Sequence, residues 1–149
     1  MMSDAAMSWE AVLKVCHEKG DFQPFIEKIP YARLLGIQVV RMGEEILFKL
    51  PAKESNIGNP TLPAIHGGVL GGFVEHAAIV HVMMLREHAS FPRIIDLSID
   101  YLSAGHFRDT YAECRILRLG RRIANVSVDA WQTSRARPIA TARAHMLLE

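Results

Sequence analysis

Along this chain, apolar residues recur first at helical spacing and then at strand spacing. In residues 8–19, Trp9, Val12, Val15 and Cys16 fall on one face, with Ser8 placed to cap the start and Gly20 to close the end. That pattern predicts an amphipathic helix. A second helical stretch over 22–35 is interrupted at Pro30, which suits the first position of a new helix, Pro30-Tyr31-Ala32-Arg33-Leu34-Leu35. From Gly36 the period becomes two. Residues 37–41 and 46–50 read as a hairpin around Gly43-Glu44-Glu45, and a polar loop with Asn56, Gly58, Asn59 and Pro60 runs over 51–63. The longest apolar block follows at 67–85, and then four β segments at 94–102, 111–119, 123–133 and 139–148. The tight linkers Leu119-Gly120-Arg121 and Ser134-Arg135-Ala136-Arg137 make the last three antiparallel neighbours. Two strands, one long helix and four strands, without βαβ alternation, predict an α+β fold rather than a doubly wound sheet. Gly67-Gly68 and Gly71-Gly72 are not a dinucleotide fingerprint, since no strand precedes them and the G-x-G-x-x-G spacing is missing.

The 67–85 block is apolar nearly all round, so it belongs either in a membrane or inside a wrapped sheet. Glu75, His76 and His81 stand near its middle, and a central acid costs about 3 kcal/mol in a bilayer, which argues against a membrane span. A sheet therefore wraps it. Each of the four glycines in its first six residues costs about 1 kcal/mol in a helix relative to Ala. Gly68, Gly71, Gly72 and Glu75 share one face, where the missing side chains let a backbone or a ligand approach closely. The N–H groups of Gly67 and Gly68 are expected to stand unpaired at the helix start, a place that favours developing negative charge. Glu75 lies eight residues beyond Gly67, about 12 Å along a helix. One carbonyl can meet both groups only if a second copy contributes one of them, or if the carboxylate reaches across a groove. The competing reading of Glu75 is an acid satisfied by an arginine or by backbone donors.

Composition narrows the function. The chain has 149 residues, 50% hydrophobic and 22% charged, enough for one core and too few for a cleft between two domains. Its formal charge of +1 leaves no overall footprint for nucleic acid or anionic membrane. The balance is uneven, because residues 76–149 hold ten Arg, no Lys and seven acids, and eight of those Arg lie from Arg108 onward. Arginine grips phosphate oxygens through a planar fork, so a local anion site is one reading, and solvated strand faces are the other. Cys16 and Cys114 have no paired spacing, and Met1-Met2-Ser3-Asp4 opens no signal peptide, so a cytoplasmic location is expected. His76, His81 and His88 lack the i, i+4 spacing of metal ligands, and no metal site is expected.

The elements Asn59…His66-Gly67-Gly68-x6-Glu75, Pro30-Tyr31-Ala32-Arg33-Leu34-Leu35-Gly36-Ile37, Ser98-Ile99-Asp100-Tyr101-Leu102-Ser103-Ala104-Gly105 and Leu119-Gly120-Arg121-Arg122 together resemble the hotdog-fold acyl-CoA thioesterases of the PaaI/4-hydroxybenzoyl-CoA thioesterase type. The resemblance covers residue 30 to the C-terminus. It implies a hotdog domain over 30–149, with an antiparallel sheet wrapped around one central helix, preceded by a helical extension over 1–29. It further implies hydrolysis of an acyl-CoA to free acid and coenzyme A by a homodimer or dimer of dimers, with no cofactor besides the coenzyme A of the substrate. The N–H of Gly67, with Gly68 beside it, would polarise the thioester carbonyl. Glu75 of the partner subunit would act as nucleophile or general base. His66 would either assist the carbonyl or cap the loop. Asn59, ahead of Asn56, would orient water or carbonyl, and Arg118, Arg121, Arg122 and Ser103 would hold coenzyme A.

Three departures stand out. Ile79 occupies a position where some members carry Thr or Ser, Leu102-Ser103-Ala104 replaces a frequent Leu-Arg-Pro, and the acid is Glu rather than Asp. A hotdog hydratase or dehydratase is an alternative, but its pattern calls for a His about fourteen residues before the acid, where this chain has Thr61. A non-catalytic acyl-CoA binding module would keep the arginines without needing Glu75.

Overall fold

The computed structural model describes residues 7–87 and 90–148; the first four residues and His88, both used above, lie outside the described residues. Helix α1, Trp9–Lys19, is closed at both ends by the residues its sequence offers. Ser8 Oγ accepts the Ala11 N–H at 3.2 Å, and Gly20 takes a left-handed φ of 66°. Its buried face is Val12, Leu13 and Cys16, so Leu13 takes the core place expected of Val15. Helices α2, Gln23–Lys28, and α3, Pro30–Leu35, divide where Pro30 begins α3. Trp9, Phe25 and Phe91 cluster with ring centroids 4.9–5.6 Å apart. Phe22, Phe25 and Ile26 join the same hydrophobic cluster as Phe73, Val80 and Met83, so the N-terminal helices share the core of the rest.

The strands are β1, Gln38–Met42; β2, Glu45–Leu50; β3, Ile57–Asn59; β4, Ala64–Ile65; β5, Arg93–Tyr101; β6, Thr110–Leu119; β7, Ile123–Trp131; and β8, Ala140–Leu147. Six of them form one antiparallel sheet in the order β1-β2-β6-β7-β8-β5, and β3, inside the segment read as a loop, forms a separate ribbon with β4 just after that segment. Alternation is clean in β7 and β8. Ala124, Val126, Val128 and Ala130, and opposite them Ala140, Ala142, Ala144 and Met146, face inward and are buried. An inner face rich in alanine lets the long helix α4, Gly67–Met84, lie close against β5 to β8.

α4 is long and apolar enough to cross a membrane, but half of it is buried within the protein, as a core helix would be. The burial is one-sided, contrary to the expectation of a helix enclosed all round. Phe73, Val74, Ala77, Ala78 and Val80 are fully buried, whereas Gly67 and Gly68 are exposed and Gly71, Glu75 and Ile79 half-buried. One face of α4 therefore remains open in the single chain. Strand β5, beside it, pairs only with β8 among the described residues and leaves Ile95 58% and Tyr101 54% exposed.

The register fixes two ends. Tyr101, Ala140 and Ala130 share one row, and Arg93, Leu147 and Ile123 another, about 26 Å away by strand rise. α4 starts at the Tyr101 end, since Tyr101 lies beside Gly67.

Candidate active site

The start of α4 is built from His66, Gly67 and Gly68. His66 is the N-cap residue, and its Nδ1 accepts the Gly68 N–H at 2.9 Å. Of the two roles open to His66, the structure displays the capping one. An accepting Nδ1 places the ring proton on Nε2. The Gly68 N–H is thus not bare, contrary to expectation, whereas the Gly67 N–H has no partner among the described residues. One donor at the positive end of an eighteen-residue helix is left facing outward.

The glycines answer to particular neighbours. A Cβ on Gly67 would lie 3.7 Å from the Tyr101 ring, and one on Gly71 would lie 3.3 Å from Ile99 Cδ1 and 3.6 Å from Tyr101 Oη. At Gly72 it would come within 2.8 Å of the Tyr31 ring. β5 and α3 therefore approach α4 along the glycine-lined face that the spacing predicts, and Tyr101 Oη donates to the Gly67 carbonyl at 2.7 Å. Neither Tyr101 nor Tyr31 stands out as a site residue from the sequence alone. Period-two alternation through Leu97 and Ile99 was the available signal for Tyr101, since it points that side chain to the helix side as well.

Glu75 is half-buried on the open side of α4, one turn beyond Gly71 and Gly72. His76, next to it, is turned back on the helix. Its Nδ1 hydrogen-bonds the Gly72 carbonyl at 2.7 Å and its ring lies 5.4 Å from that of Tyr31, so it serves no dyad with Glu75. His81 is also away from the helix start; burial holds its pKa below the ordinary histidine value. No group of three or more metal-ligating side chains occurs among the described residues.

The loop asparagines differ. Asn56, buried, donates from Nδ2 to the Leu35 carbonyl at 2.9 Å, and its own carbonyl accepts the His66 N–H. It ties α3 to the start of α4. Asn59 is exposed, and its Oδ1 accepts the Thr61 N–H at 3.0 Å in a local turn. Between them, Gly58 presses on His66: a Cβ there would sit 2.8 Å from His66 Cα and Cβ. Backbone cannot swing aside as a flexible side chain can, so Gly58→Ala is expected to destabilise the fold by about 1–3 kcal/mol, read from the denaturant midpoint.

Ser103 follows β5 at the Gly67 end, its N–H bonded to the Ile139 carbonyl. Arg118 sits at a bulge in β6, and Arg121 and Arg122 lie in the exposed β6–β7 turn, at the other end of the sheet. One chain does not bring these arginines to its own Gly67. Cys16 and Cys114 are both buried, and burial pushes the Cys114 thiol far above the ordinary range, which keeps it from serving as a nucleophile.

Residues 62–139 match the family model of the thioesterase superfamily. A solved protein from Chromobacterium violaceum is 36% identical, with a TM-score of 0.75 over 92% of this chain and 96% of its own. Mouse thioesterase superfamily member 2, 20% identical, shares the fold with a TM-score of 0.69 over 86% of this chain and 95% of its own. The Escherichia coli K12 medium/long-chain acyl-CoA thioesterase YigI is 27% identical over 141 residues, spanning 84% of this chain and 86% of that protein. A helix with a glycine-lined start against a six-stranded antiparallel sheet, matched over most of the chain by these proteins, identifies it as a hotdog-fold member of the thioesterase superfamily and a thioester hydrolase.

Proposed function

We propose that the chain hydrolyses acyl-CoA thioesters in a site shared between two copies. The observation that carries this reading is the Gly67 N–H at the start of α4, which has no partner among the described residues, with Glu75 on the same helix about 12 Å away. The thioester oxygen would lie at the Gly67 N–H, which meets the charge that develops when the carbonyl carbon is attacked. Glu75 of the partner subunit would take a proton from the attacking water, or attack the carbonyl itself. Where water attacks, the tetrahedral intermediate collapses with cleavage of the C–S bond, and the proton taken up by Glu75 passes to the leaving sulfur, giving the free acid and the thiol of coenzyme A. Where Glu75 attacks, the same cleavage leaves a mixed anhydride on Glu75, and water then hydrolyses it to the free acid while its proton goes to the thiolate.

Two features support a second copy. β5 offers a free edge with exposed Ile95 and Tyr101, a surface that pairing with another strand would cover. Antiparallel pairing of two β5 strands would set the Arg93 end of one chain against the Tyr101 end of the other. Arg118, Arg121 and Arg122 of the partner subunit would then stand at the same end as this chain's Gly67 and Ser103, as binding of the phosphates of coenzyme A requires.

The test is thiol release from a panel of acyl-CoAs of different chain length, with oligomeric state measured on the same sample. Release by a dimer or larger assembly is the expected result. Tight binding without release from any acyl-CoA would instead favour a binding module, and release by a monomer would remove the shared site.

A further inference from the structure

Given the reading of Gly67 as the carbonyl's donor, we propose that Tyr101 is a positioning residue that holds this donor in place. Tyr101 closes β5, and its hydroxyl donates to the Gly67 carbonyl at 2.7 Å while its ring lies along the Gly67 and Gly71 side of α4. The peptide joining Gly67 to Gly68 is gripped at both ends: its oxygen by Tyr101, its N–H by His66 Nδ1 at 2.9 Å.

A grip there answers a local weakness. Two successive glycines have the greatest backbone freedom of any pair, and the N–H groups of a first helical turn have no intrahelical partner to steady them. The Gly67 N–H belongs to the preceding peptide, which is hinged to this one at the Gly67 Cα, so freedom in the Gly67–Gly68 peptide loosens the helix start on which the donor stands. A donor is worth most in catalysis when its orientation is set before the reaction begins. The two hydrogen bonds also reinforce each other, because donation to a peptide oxygen polarises that peptide's own N–H. The Tyr101 hydroxyl reaches one particular carbonyl, that of Gly67.

The test is Tyr101→Phe, which keeps the ring and removes the hydroxyl. The expected result is a fall in kcat of about tenfold with KM for acyl-CoA unchanged, the size of one lost neutral hydrogen bond expressed in the transition state. A second readout follows the carbonyl directly: infrared difference spectra of carbonyl-¹³C-labelled acyl-CoA bound to Glu75→Ala and to Glu75→Ala/Tyr101→Phe protein. The band of the double variant is expected at higher frequency, because its carbonyl is less polarised. An unchanged kcat in Tyr101→Phe, or coincident bands, would overturn the proposal, and so would a lowered Tm with kcat intact. If Glu75→Ala still hydrolyses the substrate at the wild-type rate, the reading of Glu75 fails separately, and the kcat of Tyr101→Phe still decides the role of Tyr101.

Discussion

Glu75→Gln is expected to lower kcat for acyl-CoA hydrolysis by about 10²–10⁴-fold, the range a positioned general base contributes. Glutamine has nearly the shape of glutamate and keeps its place on a half-buried helix face, but it cannot take a proton from water or attack a carbonyl. Because Glu75 is proposed to act on the transition state, kcat and kcat/KM should fall together, with KM close to that of the wild type. A raised KM at unchanged kcat would make Glu75 a binding group, and full activity would remove it from the site. Thermal melting separates these outcomes from a folding defect: Glu75 has the small Gly71 and Gly72 one turn before it, so the isosteric change should leave Tm within a few degrees.

The parts of this site that could be read from the sequence are those where one residue type answers a local requirement. Ser8 and Gly20 bracket α1 because an end of a helix needs an acceptor for bare N–H groups and a residue tolerant of positive φ. Pro30 begins α3 for a matching reason, since the first helical position has no N–H to lose. The alternation of β7 and β8 follows from burial on one face of the sheet. What could not be read depends on contacts between segments far apart in the chain. Tyr101 meets Gly67 across thirty-four residues, and the ribbon of β3 and β4 exists because Gly58 can lie against His66. His66 looked equally like a loop cap and a carbonyl contact, because only the direction of its ring, fixed by Gly68, displays the capping role. The arginines are the plainest case. Composition places them in the second half of the chain, but only strand register shows Arg121 and Arg122 at the sheet end opposite Gly67.

Gly67→Pro is expected to remove about 10²–10³-fold of kcat while leaving the fold intact, the usual cost of deleting one oxyanion donor. The substitution suits the position. Gly67 is the first residue of α4, where proline's fixed φ is already helical and its missing N–H breaks no helical bond. His66 before it has φ −60° and ψ 131°, the extended conformation that a residue preceding proline prefers. The added Cβ meets the Tyr101 ring at 3.7 Å, an ordinary contact. Gly67→Ala, which adds the same Cβ but keeps the N–H, separates loss of the donor from added bulk. Should both variants lose kcat equally, the effect is steric and the donor role is wrong.

The two variants together also decide how the site is divided. If Gly67 and Glu75 of one site come from different chains, a mixed dimer of one Gly67→Pro chain and one Glu75→Gln chain holds one doubly damaged site and one intact site. Random mixing of the two inactive proteins, after dissociation and reassembly, should then restore about a quarter of wild-type activity, since half the dimers are mixed and each has one working site of two. No recovery from a verified mixed dimer would place both groups in the same chain, which the 12 Å between them along α4 does not allow for a single carbonyl without a carboxylate reaching across the groove.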